Sequence, residues 1–169
     1  SLNALREDLQ VSHKTVSAWL AVLERLYAVF LLSPFGAPRI RAVKKERKHY
    51  QFDWSLVMNE GPRFENMVAC HLLKWVDHRQ DTQGDDVELR YFRDTDGREV
   101  DFVVTERNRP GIIVECKAAS GDVDRSLRYL HTKFPDAEAW QVTASGTKDF
   151  VTPDGIRVAP AIKLLEQLV

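Results

Sequence analysis

Three acidic residues and one lysine follow one another in an order that suits metal-dependent hydrolysis. Glu65 lies in a stretch with helical periodicity, Asp101 lies in an apolar run, and Glu115 and Lys117 close the next apolar run, with the spacing D-x13-E-x-K. Carboxylate oxygens are the preferred ligands of hard divalent cations. A bound cation lowers the pKa of a water and neutralises charge that develops on a phosphate. The pattern predicts a phosphodiesterase site with Glu65, Asp101, Glu115 and Lys117 as its catalytic residues.

The alternation of side chains along a strand decides whether these groups can meet. Glu115 and Lys117 are two residues apart, so they share one face of their strand. In the neighbouring strand Asp101 is expected beside Glu115, on the same face as Glu99 and Val103. Two carboxylates at such a distance repel each other unless a cation lies between them.

The cation that fits these donors is Mg2+ or Mn2+. Its predicted ligands are the Asp101 and Glu115 carboxylates and the backbone carbonyl of Cys116, with Glu65 completing the shell directly or through water. A structural alternative stays open. Lys117 can form an ion pair with Glu115 or Asp101 and have no further role.

Apolar periodicity predicts the elements that must position these side chains. The expected helices cover residues 2–9, 13–25, 62–78, 122–134 and 161–168, and the expected strands cover 26–33, 50–53, 87–93, 98–106, 112–117, 137–143 and 156–158. The Asp-Gly turn at 94–97 predicts a hairpin between two of these strands. The inward face of the first two helices is expected to carry Leu2, Leu5, Leu9, Val16, Trp19, Leu20 and Leu23.

The first two predicted helices have the pattern of a helix-turn-helix, with Ser12 as the N-cap of the second helix. Four residues of that second helix would face a nucleic-acid groove: His13, Lys14, Thr15 and Ser17. The predicted strand that follows is typical of a winged helix. A helical hairpin that only packs on its neighbours is the alternative.

A basic run follows the helix-turn-helix, with six positive charges against one negative charge between residues 39 and 48. These residues would contact phosphate in the manner of a wing: Arg39, Arg41, Lys44, Lys45, Arg47 and Lys48. A solvated loop without a ligand is the alternative. The rest of the chain from residue 61 is mildly acidic, with 15 basic and 19 acidic residues.

Composition narrows the class of protein. The 169 residues, 44% of them apolar, are enough to bury a core, and they suit one large or two small domains. Two cysteines are too few for a disulfide framework, which predicts a reducing, cytoplasmic location. No apolar run approaches the roughly 20 residues of a membrane span. No Walker A pattern occurs, so ATP hydrolysis is not expected of this chain itself.

Several stretches together resemble one family: the C-terminal domain of unknown function of prokaryotic AAA-type P-loop ATPases. The resemblance covers most of the chain from about residue 2 to residue 143, and it is carried by the residues 9–16 with 19–20, 48–53 with 56, 61–66, 97–102 and 113–117. It implies a winged helix followed by a PD-(D/E)XK nuclease-like fold. It also implies a partner in the form of an N-terminal ATPase module, and ATP would act only through that module. Because this sequence begins inside a helical pattern, the resemblance further implies that its winged domain is incomplete.

We therefore expect a mixed α/β fold in two parts. Residues 1–60 would form a partial winged helix-turn-helix with the basic segment, and residues 61–169 a restriction-endonuclease-like, three-layer α/β sheet domain. The leading hypothesis is a DNA-associated module with a metal-dependent nuclease-like site. The alternatives are a non-catalytic domain that binds DNA or a protein on a nuclease-like scaffold, and an oligomerisation platform for the ATPase.

Overall fold

The computed structural model describes residues 2–36 and 47–168, with side chains from residue 6 onward. Its N-terminal part consists of helix α1 (Leu2–Leu9), helix α2 (His13–Arg25) and a hairpin of strands β1 (Val29–Leu32) and β2 (Lys48–Gln51). Ser12 caps α2 as predicted, because its side chain accepts a hydrogen bond from the backbone N–H of Thr15. Four residues of the predicted basic wing lie outside the described residues: Arg39, Arg41, Lys44 and Lys45.

A six-stranded mixed sheet with helices around it follows the N-terminal part. A 3-10 turn (Trp54–Leu56) leads into helix α3 (Glu60–Gln83), and the elements that follow are β3 (Val87–Arg93), β4 (Glu99–Glu106), β5 (Arg109–Lys117), helix α4 (Arg125–Lys133), β6 (Glu138–Thr143), β7 (Phe150–Val151), β8 (Ile156–Pro160) and helix α5 (Ala161–Leu165). The strand order is β3-β4-β5-β6-β8-β7. The strands β5, β6 and β8 run parallel, whereas β3, β4 and β7 pair antiparallel with their neighbours. The predicted mixed α/β class is confirmed.

Buried side chains cover both faces of the sheet. One cluster packs α3 and α5 against it and contains Val68 and Leu72 of α3 together with Phe102 of β4. The other packs α4 against the opposite face through Leu127 and Leu130. The β1–β2 hairpin joins the first cluster, whose members from that hairpin are Phe30, Leu32 and Tyr50. The hairpin therefore contributes to the core beside α3.

A β-bulge in β4 lies at Asp101. Arg90 of β3 is opposite Val103, but Phe92, two residues later, is opposite Val100, so β4 has one extra residue in this interval. A bulge rotates the side chains that follow it relative to the regular alternation. Phe102 packs on the α3 side while both Val100 and Val103 pack on the α4 side. The expectation that Asp101 shares its face with Val103 is wrong for this reason, since Asp101 contacts groups on the α3 side.

Several predicted boundaries and faces differ from the structure. Helix α3 continues past residue 78 to Gln83, and Gly84 in a left-handed conformation (φ 68°) ends it. On α2, Val16 and Leu20 are buried as predicted, but Trp19 and Leu23 are 50% and 40% exposed. The N-terminal cluster is small, because Val16 and Leu20 pack only with Val29 and the partly buried Val11 among the residues described.

The helices within residues 2–36 and 47–168 were compared with the length and apolar character that a membrane span requires. None of them is both long enough and apolar enough to cross a bilayer.

Candidate functional site

A lysine lies at the centre of the acidic residues that the sequence singled out. The Nζ of Lys48 in β2 lies 2.5 Å from Glu99 Oε1, 3.4 Å from Glu65 Oε1 and 3.5 Å from Asp101 Oδ1. Glu65 is held in place from a second direction, because the Tyr50 hydroxyl donates to its Oε1 at 2.6 Å. We call these five residues, Lys48, Tyr50, Glu65, Glu99 and Asp101, the lysine cluster.

Electrostatics keep the Lys48 ammonium charged. Burial by itself lowers the pKa of an amine, and the Lys48 side chain is only 23% exposed. The charges of Glu65, Asp101 and Glu99 outweigh burial, so the pKa of Lys48 is raised above its ordinary value. This ammonium is therefore a permanent cation among three carboxylates.

Asp101 and Glu115 meet where β4 and β5 stop pairing. Phe102 and Val114 form the last paired residues at this end of the ladder. Beyond that pair the carboxylates bind the backbone of the opposite strand. The N–H of Cys116 donates to Asp101 Oδ2 at 2.9 Å, and the N–H of Asp101 lies 3.4 Å from Glu115 Oε2. Both acids thus lie where β4 and β5 stop pairing, but Asp101 contacts Lys48 on the α3 side whereas Glu115 contacts Lys117 on the side of α4. A joint role for the two carboxylates stays a prediction.

Glu115 and Lys117 form a second group with Asp124. The Nζ of Lys117 lies 2.8 Å from Glu115 Oε1 and 2.8 Å from Asp124 Oδ2. Asp124 is the N-cap of α4 and accepts from the backbone N–H groups of Ser126 and Leu127. The shared face expected for Glu115 and Lys117 is confirmed by their contact. Lys117 ties that face of β5 to the start of α4.

Burial and repulsion raise the pKa values of both central carboxylates. For Asp101, burial and then the charge of Glu65 raise the pKa from 3.8 to about 6, against the opposing charge of Lys48. For Glu115, burial and then the charge of Asp101 raise the pKa from 4.5 to about 8, against the opposing effect of Lys117. Negative charge at this end of the sheet is therefore only partly compensated by the two lysines. Such perturbed groups are typical of functional sites and also occur in structural ion-pair networks.

The four predicted catalytic residues thus lie in two neighbouring groups. Glu65 and Asp101 surround Lys48, Glu115 and Lys117 adjoin Asp124, and the Asp101–Glu115 contact joins the groups. The backbone N–H of Cys116 is part of this junction. Its carbonyl as a metal ligand stays a prediction.

The predicted nucleic-acid contacts on α2 have local partners. His13 and Lys14 are exposed, and His13 Nδ1 lies 3.4 Å from the Ser17 hydroxyl. The Thr15 hydroxyl lies 2.8 Å from that of Ser12. Arg47 is exposed, whereas Lys48 lies in the lysine cluster instead of on the open surface. Their contact with nucleic acid stays a prediction.

Sequence reasoning gave no role in the site to four further residues. Tyr50 and Glu99 belong to the lysine cluster, and Asp124 binds Lys117. Gln141 is fully buried opposite Glu115 in β6, where it accepts from the Asp124 N–H at 2.8 Å and so positions the start of α4. A polar residue within the apolar run of β6 is the signal that indicates such a role.

The donor atoms are of the type that a hard divalent cation prefers, because carboxylate oxygens dominate and their charge is only partly compensated. Their positions, however, suit the Lys48 ammonium that they surround. Within residues 2–36 and 47–168, no group of three or more His, Cys, Asp or Glu side chains is placed to hold a metal ion. Mg2+ requires oxygens at about 2.1 Å. The Glu65 and Asp101 oxygens lie 3.4 and 3.5 Å from the Lys48 nitrogen, so a metal at that position would require them to move inward.

Comparison with protein-family models gives two matches, which meet at residue 60. Residues 1–60 match a domain of unknown function (DUF8612), and residues 60–164 match a domain of unknown function (DUF4143). Comparison with curated proteins and with solved structures finds no match. The second model covers 105 of the 169 residues, which is more than half of the chain. The chain therefore belongs to the family described as domain of unknown function DUF4143.

Proposed function

We propose that this chain is the DNA-associated C-terminal module of a prokaryotic AAA-type ATPase, with a Mg2+- or Mn2+-dependent phosphodiesterase site on a restriction-endonuclease-like fold. Helices on both faces of a mixed sheet support the nuclease-like part of this proposal. Helices α1 and α2 followed by the β1–β2 hairpin support a partial winged helix as its N-terminal part.

The observation that carries the proposal is the junction of Asp101 and Glu115 where β4 and β5 stop pairing, with the Lys117 ammonium 2.8 Å from Glu115. Two neighbouring carboxylates with raised pKa values cost folding stability, and groups perturbed in this way are concentrated at functional sites. A purely structural sheet end would be more stable with apolar or singly charged residues in these positions.

The residues of the chain have separable roles in this proposal. Asp101 and Glu115 supply oxygen ligands, and Glu65 approaches from α3 on the side of Asp101. Lys117 is held between Glu115 and Asp124, from where it orients a water or stabilises charge on the phosphate. When bound, the metal supplies a more acidic water and neutralises the phosphate.

Cleavage of labelled single-stranded, duplex and branched DNA in the presence of Mg2+ or Mn2+ tests the proposal. We expect cleavage that EDTA, Glu115→Ala and Asp101→Asn each abolish. The matched control is Glu166→Ala, which removes an exposed carboxylate that pairs with Lys163 and should leave cleavage unchanged. Circular dichroism would verify that each variant is folded. If the intact chain cuts none of the three substrates with either ion, the catalytic proposal is wrong.

A second candidate is favoured by the position of Lys48. Its ammonium already neutralises part of the acidic cluster, as expected of a scaffold that binds DNA or a partner protein without catalysis. This candidate predicts DNA binding in EDTA that weakens steeply with salt and that Asp101→Asn leaves unchanged. Replacement of Lys44, Lys45 and Arg47 by alanine should lower both the affinity and its salt dependence, by about one unit of slope for each phosphate that is no longer neutralised. Unchanged affinity in that triple variant would exclude the basic run as the DNA contact.

A further inference from the structure

We propose that Lys48 is a built-in competitor for the metal: its ammonium occupies the position in the acidic cluster that a divalent cation must enter, and it keeps the site in a closed, metal-free state. This inference rests on the proposed function in one respect, namely that Asp101 and Glu65 are metal ligands.

The Lys48 ammonium lies at the point between the carboxylates that a bound cation would occupy. Three carboxylates from two elements, Glu65 of α3 with Glu99 and Asp101 of β4, lie within 3.5 Å of the single nitrogen of Lys48. Asp101 is a predicted metal ligand, and Glu65 is predicted to complete the metal shell directly or through water. A divalent cation bound between Glu65 and Asp101 would lie within a few ångströms of this ammonium, and the two positive charges would repel each other strongly in this partly buried place.

Lys48 is also held firmly in this position. Its side chain is partly buried, with 23% exposure, and its Nζ lies 5.4 Å from the centre of the Tyr91 ring, in cation–π contact. Lys48 belongs to β2, which pairs with β1. Two hydrogen bonds between the backbone of Gln51 and the side chain of Asn66 join β2 to α3. The ammonium is thus placed by the hairpin as well as by charge.

Removal of Lys48 would leave an excess of negative charge. Glu65 and Asp101 would lose their counter-ion and would repel each other in a partly buried place, whereas Glu99 would keep Arg93 at 3.5 Å. A divalent cation is the species that restores the balance. Loss of the lysine should therefore strengthen metal binding at these carboxylates, and metal binding should then contribute to folding stability.

Calorimetric titration of the full chain with MnCl2 tests the inference without reference to catalysis. We expect Lys48→Met to bind Mn2+ at least about tenfold more tightly than the parent chain. The matched control is Lys163→Met, which removes an exposed lysine paired with one carboxylate and should leave Mn2+ affinity unchanged. Equal affinity in the parent chain and Lys48→Met, including no binding by either, would overturn the inference.

Thermal unfolding covers the case in which Lys48→Met folds poorly without metal. Mn2+ should raise its melting temperature more than that of the parent chain, because a ligand bound only to the folded state stabilises it by mass action. The double variant K48M/E99Q removes one carboxylate along with the lysine, and it should fold better while still binding Mn2+ more tightly than the parent chain. A metal-induced rise no larger in either variant than in the parent chain would count against the inference.

The DNA-cleavage assay separates this inference from the proposed function. Tight Mn2+ binding by Lys48→Met without cleavage by any variant would support the competitor role and refute catalysis. Cleavage by the parent chain, with a Mn2+ affinity that Lys48→Met does not change, would support catalysis and refute the competitor role.

Discussion

Replacement of Glu115 by glutamine should change how the stability of the fold depends on pH. The pKa of Glu115 is raised from 4.5 to about 8 in the folded protein, chiefly by burial and by the charge of Asp101. Between these two values the folded state binds more protons than the unfolded state does, so the free energy of unfolding falls as the pH rises. Glutamine has the same shape and carries no charge, so this loss of stability should be smaller in Glu115→Gln.

The magnitude follows from the size of that pKa change. A rise from 4.5 to about 8 corresponds to at most about 5 kcal/mol in favour of the protonated form. Asp101 experiences part of the same repulsion, and glutamine forms a weaker hydrogen bond to Lys117 than the carboxylate does. We therefore expect Glu115→Gln to be more stable than the parent chain by about 2 kcal/mol at pH 8.5, or about 4 to 8 °C in melting temperature. At pH 4.5 the two proteins should have nearly equal stability.

Urea unfolding in EDTA at intervals from pH 4.5 to pH 8.5 is the appropriate measurement, because EDTA keeps divalent cations from neutralising the site. The control Glu166→Gln changes an exposed carboxylate on the C-terminal side of α5 and should give a curve parallel to that of the parent chain. The difference between variant and parent removes the contribution of histidines that titrate in the same range. Parallel curves for Glu115→Gln and the parent chain would show that Glu115 is already neutralised, and the electrostatic account of the site would be refuted.

Three further predictions concern the groups that hold the site in place. Tyr50→Phe removes the 2.6 Å hydrogen bond to Glu65 and should cost about 1 to 2 kcal/mol in urea unfolding, with an unchanged value contradicting a role for this bond. Asn66→Ala removes two hydrogen bonds between α3 and β2 and should cost about 2 kcal/mol, and a nuclear magnetic resonance spectrum unperturbed in β2 would argue against that link. Leu72→Ala empties a fully buried position between α3 and the sheet and should cost about 2 to 5 kcal/mol, which a loss below about 1 kcal/mol would refute.

Local rules in the sequence were sufficient for most of the elements. The Asp-Gly turn at 94–97 predicts the β3–β4 hairpin, and the structure confirms it. The sequence predicts the end of α3 too early, because residues 79–83 are polar and have no apolar periodicity, although the helix continues to Gln83 and ends at Gly84. The sequence also predicts Trp19 and Leu23 of α2 to be inward, whereas both are exposed. Helical spacing marks an apolar face, but it does not indicate whether a neighbouring element covers that face.

The sequence by itself determined that Glu115 and Lys117 lie on one face of their strand. Because β-strands alternate, Glu115 and Lys117 had to share a face, and the pairing of successive strands brought Asp101 close to them. Only the tertiary structure decided which cation lies among the acids. Lys48 is distant from Asp101 in the chain, and it enters the cluster because the β1–β2 hairpin packs on α3 and because a bulge in β4 turns Asp101 toward that side. Long-range packing and a one-residue shift in register have no local signature, so the sequence predicted neither the sheet face of Asp101 nor its counter-ion.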